Sequence, residues 1–317
     1  MKLPGQLNEA IARWMAREGQ GSLQEKSRNL SATYKAGKNS SEVSVAAYVA
    51  TRVPATYATC SKVLAAANLA LPGFKPLSLL DVGAGPGTAS WAALAQWPEI
   101  VAVTQIEQDP SFGALAQALN AESGLDVLQQ ATLVRGTLQQ HGNASDVVTA
   151  SYVLAEIPMT AVVETANRLW TLAKRMLIVI EPGTPEGFAR LKIIRQHLLR
   201  VGAHVAAPCT HAIACPLQER DWCHFKVRVQ RSRAHMHAKQ AVVPFEDEAY
   251  SYLVLVREPA KRGGARLIAP IVSTKSGIAL QLCDATGVHK LIIARRDKAT
   301  YKRAKRVEWG DHWVGVE

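Results

Sequence analysis

Apolar positions along this 317-residue chain follow three successive patterns. At the start, Leu7, Ile11, Trp14 and Met15 share one helical face. Pro54, whose fixed φ suits a first helical turn, opens a second helix with the stripe Tyr57, Cys60, Leu64 and Ala67. Residues 1–70 are therefore expected to form an N-terminal helical segment, with Cys60 as a core thiol. From residue 77 short β-branched runs alternate with helical stretches: LSLLDV, a helix through Trp91 and Leu94, VAVTQIE, a helix through Leu115 and Leu119, TLVRG, DVVTAS, a helix from about Met159 to Lys174, and MLIVIE. Repeated βα units predict an α/β fold with a parallel, doubly wound sheet. Beyond residue 187 a helix through Phe188, Leu191, Ile194 and Leu198 leads into a segment dense in Cys, His, Arg and aromatics, and YSYLVLVRE then reads as a strand. The expected organisation is a domain over 71–257 with a Cys-rich insertion at 204–240, followed by a small β-rich module over 258–317.

The first strand runs into Gly83-Ala84-Gly85-Pro86-Gly87-Thr88 and then a helix. Glycines permit a sharp turn and a close approach of ligand to the main chain, and the following helix offers free N–H groups. A dinucleotide site wants glycine at the first, third and sixth positions, but the sixth here is Thr88 and a glycine stands fifth. The shorter spacing, preceded by Asp81, resembles motif I of class I S-adenosylmethionine-dependent methyltransferases, a Rossmann-like fold. In that group an acid at the end of the next strand, here Glu107, accepts hydrogen bonds from both ribose hydroxyls. Asp81, Gly83, Gly85, Gly87 and Glu107 are thus the candidate cofactor residues; a turn that no longer binds cofactor is the competing reading. After the fourth strand the chain reads Ser151-Tyr152-Val153-Leu154-Ala155-Glu156-Ile157-Pro158. Neither an Asn-Pro-Pro-Tyr tetrapeptide nor a nucleophilic cysteine stands there, so no catalytic residue is assigned. Positioning alone can still carry methyl transfer to a nucleophilic acceptor. Glu156 and Glu181 are candidate pocket acids, with capping or structural roles as alternatives.

Charge sharpens this picture. The net charge is +11, and it is uneven: residues 1–70 hold 9 basic and 4 acidic residues, 71–190 hold 6 and 11, and 191–317 hold 22 and 11. An acidic middle suits a small cationic ligand, and basic flanks suit a polyanion. Arg295, Arg296, Lys298, Lys302, Arg303, Lys305 and Arg306 cluster around Tyr301, the composition of an RNA-contacting segment, although a solvated basic face has the same composition. A run of about 18 uncharged apolar residues, the least a spanning helix needs, occurs nowhere. The N-terminal stretch has neither the hydrophobic block of a secretory signal nor an Arg-rich transit pattern, so a bacterial cytoplasmic protein is expected, or a mitochondrial matrix one if the chain is a processed organellar form.

Three of the five cysteines, Cys209, Cys215 and Cys223, fall in PCTHAIACPLQERDWCHF. Soft ligands on an irregular loop suit a metal that holds the loop together. The fourth ligand is expected to be Cys283, which would tie the C-terminal module to the insertion. His211 and His224 are the alternatives, zinc with three Cys and one His is the second choice, and buried unligated thiols remain a further reading.

Taken with these motifs, the chain resembles the methyltransferase-like proteins associated with the small ribosomal subunit, known from mitochondria and with bacterial relatives. The residues that carry the resemblance are Ala47-Tyr48, Arg52-Val53-Pro54-Ala55-Thr56-Tyr57, the run from Leu80 to Ala89, Trp91-Ala92, Pro208-Cys209, Cys215-Pro216-Leu217, Asp221-Trp222-Cys223-His224-Phe225, Tyr301 and Trp309-Gly310-Asp311. Thr210-His211 and Lys226-Val227 depart from the family pattern, and neither pair replaces a ligand. The resemblance implies a four-iron four-sulfur cluster on Cys209, Cys215, Cys223 and Cys283, an S-adenosylmethionine pocket at Gly83, Gly85, Gly87 and Glu107, and action on the small subunit or its rRNA during assembly or translation. A closed four-Cys site implies a structural cluster that shapes an RNA-binding surface, with Arg228, Arg231 and Arg233 adjoining it. An active rRNA methyltransferase and a small-molecule methyltransferase with an incidental basic surface are the alternatives. No membrane partner is expected, and the chain is expected to be a monomer off the ribosome.

Overall fold

The computed structural model describes residues 1–18, 44–140, 143–218, 220–260 and 263–315. The part of the expected N-terminal helical segment between 19 and 43 lies outside the described residues. Helices α1 (Gly5–Glu18) and α2 (Val45–Ala70) precede β1 (Ser78–Val82), α3 (Thr88–Gln96), β2 (Ala102–Glu107), α4 (Pro110–Ala121), β3 (Thr132–Arg135) and β4 (Ser145–Ser151). Then come α5 (Val162–Leu172), β5 (Ala173–Pro182), α6 (Pro185–Arg200), β6 (His204–Ala207), β7 (Phe225–Gln230), α7 (Arg233–Lys239) and β8 (Phe245–Val256). The chain closes with β9 (Ala265–Leu267), β10 (Val272–Ser273), β11 (Gly277–Asp284), β12 (Gly287–Ala294), α8 (Lys298–Ala304) and β13 (His312–Trp313).

Among these residues an eight-stranded sheet has the order β3-β2-β1-β4-β5-β8-β6, with β7 also on β8. Strands β1 to β5 pair in parallel, and β8 is antiparallel to both β5 and β6. This order, with one reversed strand inserted before the last, is that of class I methyltransferases. A smaller sheet, β10-β11-β9-β13 with β12 on β11, is antiparallel.

The large sheet is covered on both faces, and its side chains alternate between two cores as the strand period of two demands. Leu79, Val147, Met176, Ile178 and Val254 enter the core shared with α1, α2, α3 and α4. Leu80, Val148, Leu177, Val179 and Leu253 enter the one shared with α5 and α6. The small sheet has its own core around Leu267, Ile278, Leu280 and Trp313.

Three elements differ from the sequence expectation. Helix α2 does not start at Pro54 but contains it. An interior proline leaves the carbonyl one turn back without its donor, at about 3 kcal/mol, and the buried Val49, Val53, Tyr57, Cys60 and Leu64 offset that cost. The Cys-rich stretch is not irregular throughout, because β6, β7 and α7 lie within it. Strand β8 begins at Phe245, before the apolar run. A bidentate pair fastens α2 to this strand: Arg52 Nη1 and Nη2 donate to Glu248 at 3.1 and 2.7 Å.

Glu181, at the end of β5, is fully buried. One carboxyl oxygen accepts the Leu154 N–H at 3.0 Å, fixing the 3-10 turn Leu154–Glu156 after β4. The other has no hydrogen-bond partner among the described residues. Burial, opposed by that N–H and by the Arg190 guanidinium, pushes the carboxyl up to about 8. The folded value lies above the unfolded one, near 4.5, so this carboxyl binds more protons in the folded state. Its contribution to stability is complete below the unfolded pKa and is lost as pH rises through about 8. The variant Glu181→Gln keeps the acceptor for Leu154 without the charge. It is expected to flatten the decline of thermal midpoint between about pH 5 and pH 8 and to be more stable than wild type at the alkaline end. Unfolding monitored by circular dichroism across pH checks this; parallel profiles for the two proteins would contradict it.

Candidate functional site

Strand β1 ends at Val82, and Gly83, Gly85 and Gly87 turn the chain into α3 with φ of 61°, 53° and 78°. A Cβ on Gly83 would collide with Val153 Cγ2, and one on Gly87 would lie 2.5 Å from Gln105 Nε2. Gly85 differs, since a Cβ there meets nothing within 4 Å. Gly83 and Gly85 line a cavity of about 370 Å³ at the carboxyl ends of the parallel strands, the place where such sheets bind ligands. Glu107 lines it too, its Oε2 accepting the Gly85 N–H at 2.7 Å and its Oε1 the Asp109 N–H at 2.8 Å. Each oxygen keeps a lone pair for a further donor.

Asp81 does not reach this cavity. It is buried beneath the turn, where Oδ2 accepts from Ser90 N (3.1 Å) and Ser90 Oγ (2.7 Å) and Oδ1 from Thr149 Oγ1 (3.0 Å). Burial, opposed by the Ser90 and Thr149 hydrogen bonds, raises its carboxyl to about 6. It braces the turn against α3 and β4. Gly87 likewise packs on Gln105 and is absent from the cavity wall.

Other wall residues come from distant segments that no local motif joins. Tyr48, on α2, meets Phe112 of α4 edge-on at 4.8 Å between ring centroids. Ser151, Tyr152 and Glu156 close the side after β4. Tyr152 is held at φ 63° with its N–H on Ile180 O (2.7 Å), and its hydroxyl donates to Thr59 Oγ1 (3.3 Å). The Glu156 carboxyl is raised by burial and by the nearby Glu107 and Asp109. Two carboxyl groups on one wall favour a cationic ligand such as a sulfonium. Glu181 stands behind this wall, holding Leu154. Among the described residues no activated nucleophile stands here: Cys60 lies 3.7 Å from Ser151 Oγ, and burial pushes its thiol up to about 12.

At the other end of the sheet, Cys209 follows β6 by two residues and Cys223 precedes β7 by two. Both flanking strands lie against β8, which brings the ends of loop 208–224 together. Cys283 arrives on β11 of the small sheet. Cys209, Cys215, Cys223 and Cys283 all line one cavity of about 40 Å³, as does His211, whose Nε2 is 3.5 Å from Cys283 Sγ. His224 is outside it, between Trp222 (5.1 Å, stacked) and Trp309 (4.7 Å, edge-on). Burial raises the Cys209 thiol, and burial together with the neighbouring thiols raises Cys223 and pushes Cys283 up to about 12. Among the described residues no group of three or more His, Cys, Asp or Glu side chains is already arranged to hold a metal ion.

Two arginines that the sequence reading did not select adjoin the thiols. Arg195, 6% exposed, donates Nη2 to His211 O at 2.9 Å and opposes ionic repulsion at Cys209. Arg266, opposite Cys283 on the neighbouring strand, donates Nε to Pro208 O and Nη1 to Gly310 O, both at 2.7 Å. Of the arginines expected to flank the loop, Arg228 is paired with Asp247 and Arg231 with Glu246, while Arg233 is exposed. The basic cluster around α8 is exposed, with Arg303 over the Trp313 ring at 4.1 Å. No described helix is long and apolar enough to cross a membrane.

Comparison with known proteins bears on the whole of this arrangement. The human "Ribosome assembly protein METTL17, mitochondrial" is 26% identical over 284 residues, 83% of this chain and 61% of that protein. The Schizosaccharomyces pombe "Rsm22-cox11 tandem protein 2, mitochondrial" is 22% identical over 326 residues, 84% of this chain and 42% of that protein. This chain therefore spans about three fifths of the first and two fifths of the second. Among solved structures, the plantazolicin methyltransferase BpumL with a substrate analog and SAH has TM-score 0.45 at 13% identity, over 80% of this chain and 99% of that one. The SAH-bound magnesium protoporphyrin IX methyltransferase of Synechocystis PCC 6803 has TM-score 0.43 at 18% identity, over 73% and 94%. A family profile described as "Mitochondrial small ribosomal subunit Rsm22" matches residues 42–314, from α2 through the glycine turn and the four cysteines to the end of the small sheet, and the chain belongs to that family.

Proposed function

We propose that this chain is a methyltransferase-like factor of small ribosomal subunit assembly or translation that binds rRNA. It holds S-adenosylmethionine at Gly83, Gly85 and Glu107, with Asp81 and Gly87 bracing the turn, and a four-iron four-sulfur cluster at Cys209, Cys215, Cys223 and Cys283. The observation that carries this reading is the single cavity lined by those four cysteines, at the join between the α/β domain and the basic C-terminal module. It works where small subunits are assembled, in the bacterial cytoplasm or the mitochondrial matrix.

The donor set fits a metal group. Burial and neighbouring thiols raise Cys209, Cys223 and Cys283, so their thiolates oppose one another unless a cation lies between them, and a bound metal reverses that balance. Iron held by thiolates leaves a net negative group, and Arg195 and Arg266 are the cations beside it. Zinc, whose sulfurs would stand about 3.8 Å apart around bonds of ~2.3 Å, is the alternative occupant of the same four thiols. Bound there, the cluster supplies crosslinking between the loop and the small sheet. Among the described residues no cysteine lines the cleft, and positioning can carry methyl transfer to an acceptor that is already nucleophilic.

In titration calorimetry with S-adenosylmethionine, Gly85→Asn should weaken binding at least about tenfold. Asparagine tolerates the left-handed backbone and projects into the cavity, so the thermal midpoint of the free protein should hardly move. Unchanged affinity would remove the cofactor assignment. Protein isolated anaerobically should contain iron and acid-labile sulfide with visible charge-transfer absorption, and Cys283→Ser should lose most of both; one tightly held zinc without that absorption would replace the cluster by zinc. Sedimentation with purified small subunits should show association that weakens by orders of magnitude between about 50 and 200 mM salt. Failure to co-sediment at low salt would set the ribosomal reading aside.

A further inference from the structure

The glycine cleft is not the largest cavity among the described residues. A space of about 680 Å³ lies in the seam where α2, the β7–β8 end of the large sheet and the small sheet meet. That is within the ~300–1,000 Å³ of small-ligand sites. Helix α2 contributes Lys62 and the small Ala65, the large sheet Lys226, Tyr250 and Tyr252, and the small sheet Arg266.

Two independent features show a site prepared for a ligand. Tyr250 and Tyr252 are 6% and 7% exposed, yet neither hydroxyl makes a hydrogen bond among the described residues. Both rings are largely buried while their hydroxyls stay open to this cavity, free to pair with polar groups of a ligand. The second feature is charge. Lys62, Lys226, Arg228 and Arg266 line the seam against Glu308 and Asp311. Arg228 is taken by Asp247, and Lys62 lies 3.9 Å from Glu308. Lys226 makes no ion pair among the described residues, its ammonium lying 5.6 Å from the Trp309 ring centre. Arg266 binds carbonyls through two N–H groups, and its fork has others. The seam therefore combines unneutralised cations with an aromatic floor and unpaired hydroxyls.

We propose that this seam takes one unpaired nucleotide of a single-stranded RNA, its phosphate on Lys226 and Arg266, and its base and ribose against the floor that carries Tyr250 and Tyr252. The inference rests on the RNA-binding reading above and says where on the chain an unpaired nucleotide goes. Proteins read single-stranded RNA by unstacking a base onto aromatic side chains while cations hold the backbone. A duplex has no loose base to offer such a cavity. The exposed cluster around α8 has cations but none of its residues lines this seam, and it serves the flanking phosphates.

The full chain, isolated with its metal, is mixed with a single-stranded RNA of about ten nucleotides carrying 4-thiouridine, irradiated, and mapped by mass spectrometry. Adducts are expected at Phe225, Tyr250, Tyr252 or Trp309. Ala65→Phe, which fills the cavity from α2, should weaken binding about tenfold in fluorescence anisotropy. Lys226→Gln, at an exposed position that keeps the test open if the larger residue disturbs folding, should lower the salt slope by about 0.7. Uridine monophosphate should bind at least a hundredfold more weakly than the strand, and equal affinity would overturn RNA as the source of the nucleotide. RNA bound with adducts confined to 295–306 and unchanged affinity in both variants would overturn the seam while leaving the RNA-binding reading intact. Absence of RNA binding at low salt would overturn both.

Discussion

The thiol end of the molecule depends on the length of one antiparallel strand. β8 has 12 residues. On one side it pairs with β5 from Val256 to Tyr250; on the other it takes β6 near Val256 and β7 from Tyr250 back to Phe245. β5 ends where Gly183 passes over β8, at a point where a Cβ would lie 2.7 Å from the Ala249 carbonyl carbon and the Tyr250 nitrogen. With β6 and β7 laid end to end on one strand, loop 208–224 must leave and return at neighbouring points. That constraint, rather than any pairing among the cysteines, brings Cys209 and Cys223 to the same cavity. The loop itself has little regular structure and is tied down from outside: Trp222 Nε1 donates to Gly183 O (2.9 Å), Ser251 Oγ to Cys223 O (2.8 Å) and Arg195 to His211 O.

The two ends of the sheet carry opposite electrostatics. Glu107 and Glu156 face the glycine cleft, whereas Arg195 and Arg266 stand at the thiol cavity and Lys226 and Arg266 in the seam. Arg266 is central to the second arrangement, since its two hydrogen bonds join Pro208 of the loop to Gly310 of the C-terminal segment. A guanidinium bonded to two carbonyls can tie the two segments together while its remaining N–H groups face an anion. The same fold thereby gathers carboxylates at one end of the sheet and arginines and a lysine at the other.

How much of this was legible in the sequence follows from how local each signal is. The strands β1 to β5 and the glycine turn rest on short-range alternation and φ, and they stand where the pattern puts them. Asp81 was legible as an acid but not in its role, although strand parity holds the reason: it shares a face with Leu79, the side on which α3 lies, and so meets Ser90 rather than the cleft. β7, FKVRVQ, alternates buried and exposed without exception, but its neighbours in a Cys- and His-rich stretch drew the reading towards a loop. Pro54 misled because its local preference for a helix start is outweighed by burial of residues on both sides of it. Arg195, Arg266, Tyr48, Tyr250 and Tyr252 carry no motif at all, because they meet only through tertiary packing.

The seam and the thiol cavity are not independent. Cys209 and Tyr252 line both, so one wall separates the two, and whatever orders that wall for one cavity orders it for the other. A metal bound to the thiols of loop 208–224 would contribute directly to its folding free energy. A ligand in the seam that prefers the ordered wall must then favour metal retention by the same factor by which the metal favours the ligand, since coupling between two binding equilibria is reciprocal. Loss of metal would leave the glycine cleft, at the far end of the sheet and braced by Asp81 and Glu181, largely as it is, while removing the shape of the seam. If both proposed ligands bind, the α/β domain can persist as a folded body while the seam's hold on an anion follows the state of the thiols, one of which, Cys209, lines its wall.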